Sequence, residues 1–207
     1  MSKPDSSIYL ASASPRRREL LQQIGVSYEV VQHGASEKKF DDEEAKPYVH
    51  RVATDKACSV IDNINPDDSR PVLAADTIVV CEGRVLGKPS HKDDAIAMLM
   101  LLSNKRHQVY SAVCVATHRK RETVISETTV GFGKITEQEC LAYWNSGEPV
   151  GKAGGYGIQG LGAVFVDYIA GSYSAVVGLP LFETARLLNK FNVAVLFRYA
   201  AQQNNNH

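Results

Sequence analysis

A run of three arginines stands where a helix normally carries acids. Ile8-Tyr9-Leu10-Ala11-Ser12-Ala13-Ser14-Pro15 reads as a short strand and a tight turn of small residues. Arg16-Arg17-Arg18 then open a helix whose apolar face is Leu20, Leu21 and Ile24. Ser14 suits the N-cap, Pro15 the first helical position and Gly25 the C-terminal stop. A helix N-terminus already carries roughly half a positive charge, so guanidinium groups there are repelled unless an anion binds. Free N–H groups, the dipole and the guanidinium forks together suit a phosphate, and small residues let it reach the backbone. Three solvated arginines on a surface helix are the alternative.

Other polar residues sit in settings that do not suit them. Lys56 falls in the stripe Val49, Val52, Ala53 and Val60 when residues are placed at ~100° per step. An ammonium there must snorkel or find a partner, and phosphate is a suitable one. Asp76 interrupts the apolar run Pro71–Cys81, which reads as a strand buried on both faces. Its carboxylate must face a metal, a cation or a water-filled cleft, a structural salt bridge being the plain alternative. Thr77 points to the opposite face or shares a kink with Asp76. Lys88 occupies the stiff corner Gly87-Lys88-Pro89, and Glu37 lies in the acidic stretch Gly34–Lys46. Asp76 and Glu37 are carboxylates of the kind that hold a hard divalent ion. Gln159 adds a donor and an acceptor on the glycine-rich run Gly151–Gly162, a loop suited to a base edge. The set fits a nucleotide polyphosphate with magnesium or manganese.

The elements that position these groups follow from periodicity and punctuation. Strands are expected over Tyr28–Gln32, Pro71–Cys81, Val109–Ala116, Thr123–Ile135, Ala163–Ile169 and Val193–Phe197. Glu82-Gly83 turns a hairpin into Arg84-Val85-Leu86, and His118–Arg121 reads as a solvated basic hairpin tip. Helices are expected from Pro47 to about Asn63, and from Pro180 through Leu181, Ala185 and Leu188. Ser90 with Asp93, and Thr136 with Glu139, form capping-box patterns for two more, the second ending at Gly147.

At 207 residues the chain fits one domain, or one domain with a lobe. Its formal net charge of zero argues against a bulk polyanion partner such as nucleic acid, though not against a local anion site. The four cysteines, Cys58, Cys81, Cys114 and Cys140, show no CxxC spacing and read as reduced core thiols of a cytoplasmic protein. There is neither a signal region nor an apolar run long enough to span a bilayer, so no membrane partner is expected. Residues 1–7 are expected to be a flexible N-terminus, 8–198 a single domain, and 199–207 a disordered polar tail.

Two motif matches fail on context. Gly155, Gly157 and Gly160 spell GxGxxG, but that fingerprint follows a strand and opens a helix, whereas a strand, Val164-Phe165-Val166, is expected after this one. Gly147–Lys152 is one residue short of a phosphate-binding P-loop, and Ala153 replaces its Ser/Thr.

Ser12-Ala13-Ser14-Pro15-Arg16-Arg17, Ala74-Ala75-Asp76-Thr77-Ile78-Val79, Gly87-Lys88-Pro89 and Lys152-Ala153-Gly154-Gly155-Tyr156-Gly157-Ile158-Gln159-Gly160 closely resemble the Maf family of nucleoside triphosphate pyrophosphatases. The resemblance runs from about Ile8 to Phe197. It implies an α/β fold of the Maf/ITPase-like type, with a long mixed twisted sheet flanked by helices and two lobes around a central cleft, often as a homodimer. It also implies metal-dependent hydrolysis of nucleoside triphosphates to monophosphate and pyrophosphate, as nucleotide-pool house-cleaning. Asp76 matches the family's proton acceptor. Ser12, Arg17, Lys56, Lys88 and Glu37 match positions for phosphate or metal. Arg16, Thr77 and Gln159 match the base-choice positions of the dTTP/UTP subgroup. The alternative is a non-catalytic nucleotide or nucleic-acid binding regulator of septum formation, a role to which the family has also been linked.

Overall fold

The computed structural model describes residues 7–195. These form two compact units. The first holds the chain up to Asp76, Ala112–Ile125 and the residues from Gly178 onward; the second holds Thr77–Ser111 and Ser126–Val177. Seven strands make one mixed sheet: β1 (Ile8–Leu10), β2 (Tyr28–Val30), β3 (Val72–Cys81), β4 (Arg84–Leu86), β5 (Arg106–Ala116), β6 (Arg121–Phe132) and β7 (Val166–Ala170). The order is β2-β1-β3-β5-β6-β7, with β4 also on β3. β1 is parallel to β2 and β3, whereas β3–β4 and β6–β7 are antiparallel. The helices are α1 (Pro15–Gln23), α2 (Ala45–Ile61), α3 (Lys92–Leu102), α4 (Glu137–Asn145), α5 (Tyr173–Val177) and α6 (Leu181–Lys190). The expected α/β architecture with a mixed sheet flanked by helices is therefore present.

The first unit starts as two successive crossovers that run in opposite directions across the sheet, with β1 between their end strands. The chain runs from β1 through α1 to β2 on one side, then through α2 to β3 on the other. The carboxyl end of β1 is thus a topological switch point, where the two following connections part and leave room for a ligand. The elements hold this geometry by burial. Ile8 and Leu10 in β1, Leu21 in α1, Val49, Val52 and Val60 in α2, and Leu73 in β3 are all buried. α1 begins at Pro15 as expected and ends before Gly25, whose φ of 73° only glycine adopts without strain.

The second unit packs α3 on α4 and on a 3₁₀ turn at Ala153–Gly155. Thr136 and Glu139 make the expected reciprocal capping box on α4. The box expected at Ser90 and Asp93 is displaced by one residue. His91 is the N-cap of α3, and its Nδ1 accepts from the Asp94 N–H at 3.3 Å. Asp94, not Asp93, reaches back to the Ser90 N–H at 2.9 Å. The imidazole serves as the cap acceptor, which a search for hydroxyl or carboxylate caps overlooks.

Other boundaries also shift. Pro47 is the third residue of α2, not the first, because Glu44 is the N-cap. β5 and β6 start earlier than expected, and β7 starts only at Val166 because Leu161–Phe165 forms a 3₁₀ turn. α5 was not legible in the periodicity, being five residues long. Val193–Val195 carry no strand, and the rest of the expected closing strand lies outside the described residues, as do 1–6 and 196–207 of the expected termini. Cys81, Cys114 and Cys140 are buried and free as expected; Cys58 is only half-buried, its Sγ accepting from Arg121 at 2.9 Å. Arg121 is therefore engaged with a thiol and not only a solvated member of the hairpin tip.

An aromatic cluster closes the second unit. His107, Phe132 and Tyr156 meet edge to face with centroids 4.8–5.5 Å apart, and the His107 Nε2 sits 2.8 Å from the Tyr156 hydroxyl. Burial pushes the imidazole down to about 4. The unfolded chain therefore takes up this proton first as pH falls from the ordinary histidine value of about 6.5, and stability present above that pH is lost on the way to about 4. The difference corresponds to about 3 kcal/mol. We expect the thermal midpoint to fall steadily between those values, and His107→Gln to flatten that fall. His33, whose imidazole is also held low by burial, acts in the same direction and remains in the variant. An equally steep profile in His107→Gln would contradict this origin.

Candidate active site

The candidate site of the first unit is built on the loop after β1, the N-terminus of α1, the loop after β2, one turn of α2 and the middle of β3. β1 pairs with β3 at Tyr9–Val72 and Leu10–Leu73. Asp76 therefore lies three residues past the last partner, beyond the carboxyl end of β1, at the switch point. Ser12 lies two residues past the end of β1 and is buried. Its hydroxyl accepts from the Ser14 N–H at 3.2 Å and from the Arg17 Nη1 at 3.1 Å. Arg17 Nε donates to the Gly178 carbonyl at 2.8 Å, so the guanidinium is held at both ends. Burial pushes Arg17 below its ordinary value, while the charge of Asp76 acts the other way.

The expected N-cap geometry is present without the expected bond. Ser14 is the N-cap residue in an extended conformation, but no side chain caps α1, and its first turn holds no acid. Among the described residues no side chain thus takes up the donors at this end, which suits an anion site. The three arginines separate: Arg17 turns to Ser12, Arg18 donates to the Ala13 carbonyl at 2.8 Å, and Arg16 stays half-exposed.

Lys56 resolves the conflict seen in the sequence. It is buried on the apolar face of α2, and its ammonium lies 2.8 Å from Asp76 Oδ1 and 2.7 Å from Glu37 Oε1. Asp76 is nearly buried, whereas Glu37 is largely exposed. One ammonium thus holds two carboxylates that would otherwise repel each other. His33, not singled out from the sequence, also faces this group, with Nε2 3.8 Å from Glu37 Oε1. Burial and then the Lys56 charge keep His33 below its ordinary value, so both favour its neutral form. The i, i+4 spacing of His33 and Glu37 was the available signal, but it falls in a loop where that spacing carries no prior.

Among the described residues no three His, Cys, Asp or Glu side chains converge as a ready-made metal cage. Two carboxylates on one ammonium nonetheless fit a magnesium-like ion, which commonly takes one or two carboxylates and completes its shell with water and substrate phosphate.

Thr77, Lys88 and Gln159 belong to the second unit and are described there. The Thr77 hydroxyl lies 2.8 Å from that of Ser111, which donates to the Ala175 carbonyl. Lys88 is exposed in a corner whose backbone is fastened: the Gly87 carbonyl accepts from the Gly154 N–H at 3.0 Å. Gly154 has φ 68°, and a Cβ there would meet Val79 at 3.0 Å, so the glycine run approaches β3 closely. Gln159 is exposed on the same run. The run leads into a five-residue 3₁₀ turn and then β7, so the rejected dinucleotide fingerprint indeed lacks its α-helix.

Residues 7–191 match the model of a family described as Maf-like protein. The chain belongs to the Maf-like family. Curated relatives match over nearly its whole length. A dTTP/UTP pyrophosphatase of Saccharophagus degradans is 52% identical over 189 residues, covering 91% of this chain and 90% of the relative. One of Vibrio vulnificus is 50% identical over 184 residues, covering 89% and 98%. One of Bordetella avium is 46% identical over 194 residues, covering 91% and 96%. No helix among the described residues of this Maf-like chain is long and apolar enough to cross a membrane.

Proposed function

We propose that this protein hydrolyses nucleoside triphosphates, dTTP and UTP above all, to the monophosphate and pyrophosphate, clearing unwanted pyrimidine nucleotides from the pool. The observation that carries this reading is the Glu37–Lys56–Asp76 charge group beside the Ser12–Arg17 pair, at the switch point of a chain 46–52% identical to relatives named for that activity. The relatives carry enzyme names, and no feature of the site favours the non-catalytic regulator of septum formation.

In this reading the Asp76 carboxylate takes a proton from a water, whose oxygen forms a bond to the α-phosphorus. The bond from that phosphorus to the bridging oxygen breaks, and pyrophosphate leaves with the electron pair. Arg17, Lys56 and Lys88 hold the phosphate charge as it shifts to the leaving group, and the N-terminus of α1 with Ser12 adds hydrogen-bond donors. Glu37 and Asp76 would hold a divalent cation, Mg²⁺ or Mn²⁺, which when bound neutralises and orients the polyphosphate. Arg16, Thr77 and Gln159 are assigned to base choice. A site that hydrogen-bonds one base edge rejects a base that leaves those groups unpaired. A cytoplasmic homodimer completes the proposal.

The test is to incubate the protein with Mg²⁺ and each common nucleoside triphosphate while following monophosphate, pyrophosphate and orthophosphate separately. Monophosphate plus pyrophosphate from dTTP and UTP, with little from purines, is the expected result. Diphosphate plus orthophosphate would place the attack at the γ-phosphorus and sink the mechanism. Binding without turnover under either metal would return the regulator to first place.

A further inference from the structure

The glycine run that carries Gln159 is packed by its own side chains on one side only: Tyr156 and Ile158 are buried just before the exposed glutamine. After it come Gly160 and Gly162, which have no side chain, and Leu161, which is largely exposed. Such a stretch would sample many conformations unless its backbone is tied. Backbone ties on both sides of the glutamine come from two residues outside the run, Tyr143 in α4 and Glu148 just after it.

On one side of Gln159, the Gly157 N–H donates to the Tyr143 hydroxyl at 3.0 Å. On the other side, the Leu161 N–H donates to Glu148 Oε2 at 2.8 Å and the Gly162 N–H to Glu148 Oε1 at 3.1 Å. The two anchors are themselves joined, because the Tyr143 hydroxyl donates to Glu148 Oε1 at 2.7 Å. The Lys152 ammonium donates to the Glu148 carbonyl. A Cβ at Gly160 would overlap the Glu148 carboxylate, so this glycine is where the carboxylate fits under the backbone. A Cβ at Gly162 would lie 2.6 Å from the Tyr143 hydroxyl. Burial alone would raise Glu148, but the Tyr143 hydroxyl and the two backbone N–H groups outweigh it and hold the group below the usual carboxylate range, so it is ionised at neutral pH.

We infer that Glu148, with Tyr143, is a positioning residue for base selection: the pair grips the backbone on both sides of Gln159 and fixes the angle at which its amide meets the base. The inference rests on the base-reading role proposed above for Gln159. The carboxylate suits this task better than a neutral side chain. It offers acceptors only, and three donors converge on it. Glutamine at this position keeps one oxygen for Tyr143 and Gly162 but turns an NH₂ toward the Leu161 N–H, which sets donor against donor. Phenylalanine at 143 keeps the edge-to-face contact with Phe165, at 5.2 Å between centroids, and removes only the hydroxyl.

The experiment measures kcat and KM for UTP and GTP in the parent, Glu148→Gln, Tyr143→Phe, Gln159→Ala and the double variant Glu148→Gln/Gln159→Ala, with the thermal midpoint of each. Glu148→Gln and Tyr143→Phe are each expected to lower the UTP-over-GTP ratio of kcat/KM by about fivefold, the scale of one net hydrogen bond. The loss should fall mainly on KM for UTP, while kcat at saturating UTP is largely kept. In the Gln159→Ala background, Glu148→Gln should lower the ratio no further, because its effect passes through the missing amide. A ratio lowered by Gln159→Ala but untouched by Glu148→Gln and Tyr143→Phe overturns the positioning role and leaves Gln159 as the base reader. A ratio untouched by Gln159→Ala overturns both. A Glu148 effect that persists in full without Gln159 shows general damage to the loop and also overturns the inference. Should Glu148→Gln fail to fold, Tyr143→Phe carries the same comparison with one hydroxyl removed.

Discussion

Asp76→Asn is expected to lower kcat by about two to four orders of magnitude, the usual worth of a positioned general base, with little change in KM. The substitution is close to isosteric. The amide oxygen can still accept from the Lys56 ammonium, now 2.8 Å from Asp76 Oδ1, and Lys56 keeps Glu37 at 2.7 Å. The fold and the groups proposed to hold phosphate, Ser12 and Arg17, are therefore retained, and only the charge of the proposed proton acceptor is lost. Loss of a cation ligand would also slow the reaction, so turnover is to be measured across a magnesium titration. A rate that returns to the parental value at high Mg²⁺ would make Asp76 a ligand alone. A rate that stays low at every concentration is the expected outcome, and near-parental turnover at ordinary Mg²⁺ would remove Asp76 from the mechanism.

Lys56 and Asp76 stood out in the sequence because each broke a local rule. Lys56 in an apolar stripe and Asp76 in an apolar strand each needed a partner, and each turns out to be the other's. What periodicity could not give was that pairing, since it depends on how α2 crosses to β3, 20 residues along the chain. Glu37 was harder still. It lies in a loop with four other acids, and only the fold selects the one that reaches Lys56. The cap of α3 was misread because an imidazole can accept as a hydroxyl does. β7 was expected from Ala163 because Ala163–Ile169 reads as an alternating strand, yet Leu161–Phe165 forms a 3₁₀ turn whose first two N–H groups donate to Glu148. Glu148 was hidden for a related reason. Its importance lies in three donors that meet it from positions 143, 161 and 162, and no spacing rule links them. Single side chains out of place are visible in one dimension, whereas acceptors gathered by the backbone are not.

Lys56→Met is expected to cost about 3 kcal/mol of stability, the low end of what removing one partner from a buried ion pair costs. Asp76 and Glu37 do not suffer alike. The Asp76 side chain is 11% exposed and has no room to move into water, while that of Glu37, 42% exposed, can swing outward. The cost therefore falls chiefly on one buried carboxylate, and Arg17, whose charge also acts on Asp76, offsets part of it. For a chain of this size, about 3 kcal/mol corresponds to a thermal midpoint lower by roughly 6–12 °C. Two further measurements separate charge from packing. The double variant Lys56→Met/Asp76→Asn removes both partners of the pair and should recover most of the lost stability, because an unpaired neutral amide costs less than an unpaired carboxylate. Magnesium should stabilise Lys56→Met more than it does the parent, since the cation can bind where two carboxylates have lost their shared ammonium. Equal midpoints for Lys56→Met and the parent would mean that the buried pair contributes nothing to stability. A double variant no more stable than the single one would trace the loss to the lysine's aliphatic stem packed in α2, and a magnesium response no larger than the parent's would argue against Glu37 and Asp76 as a cation-binding pair.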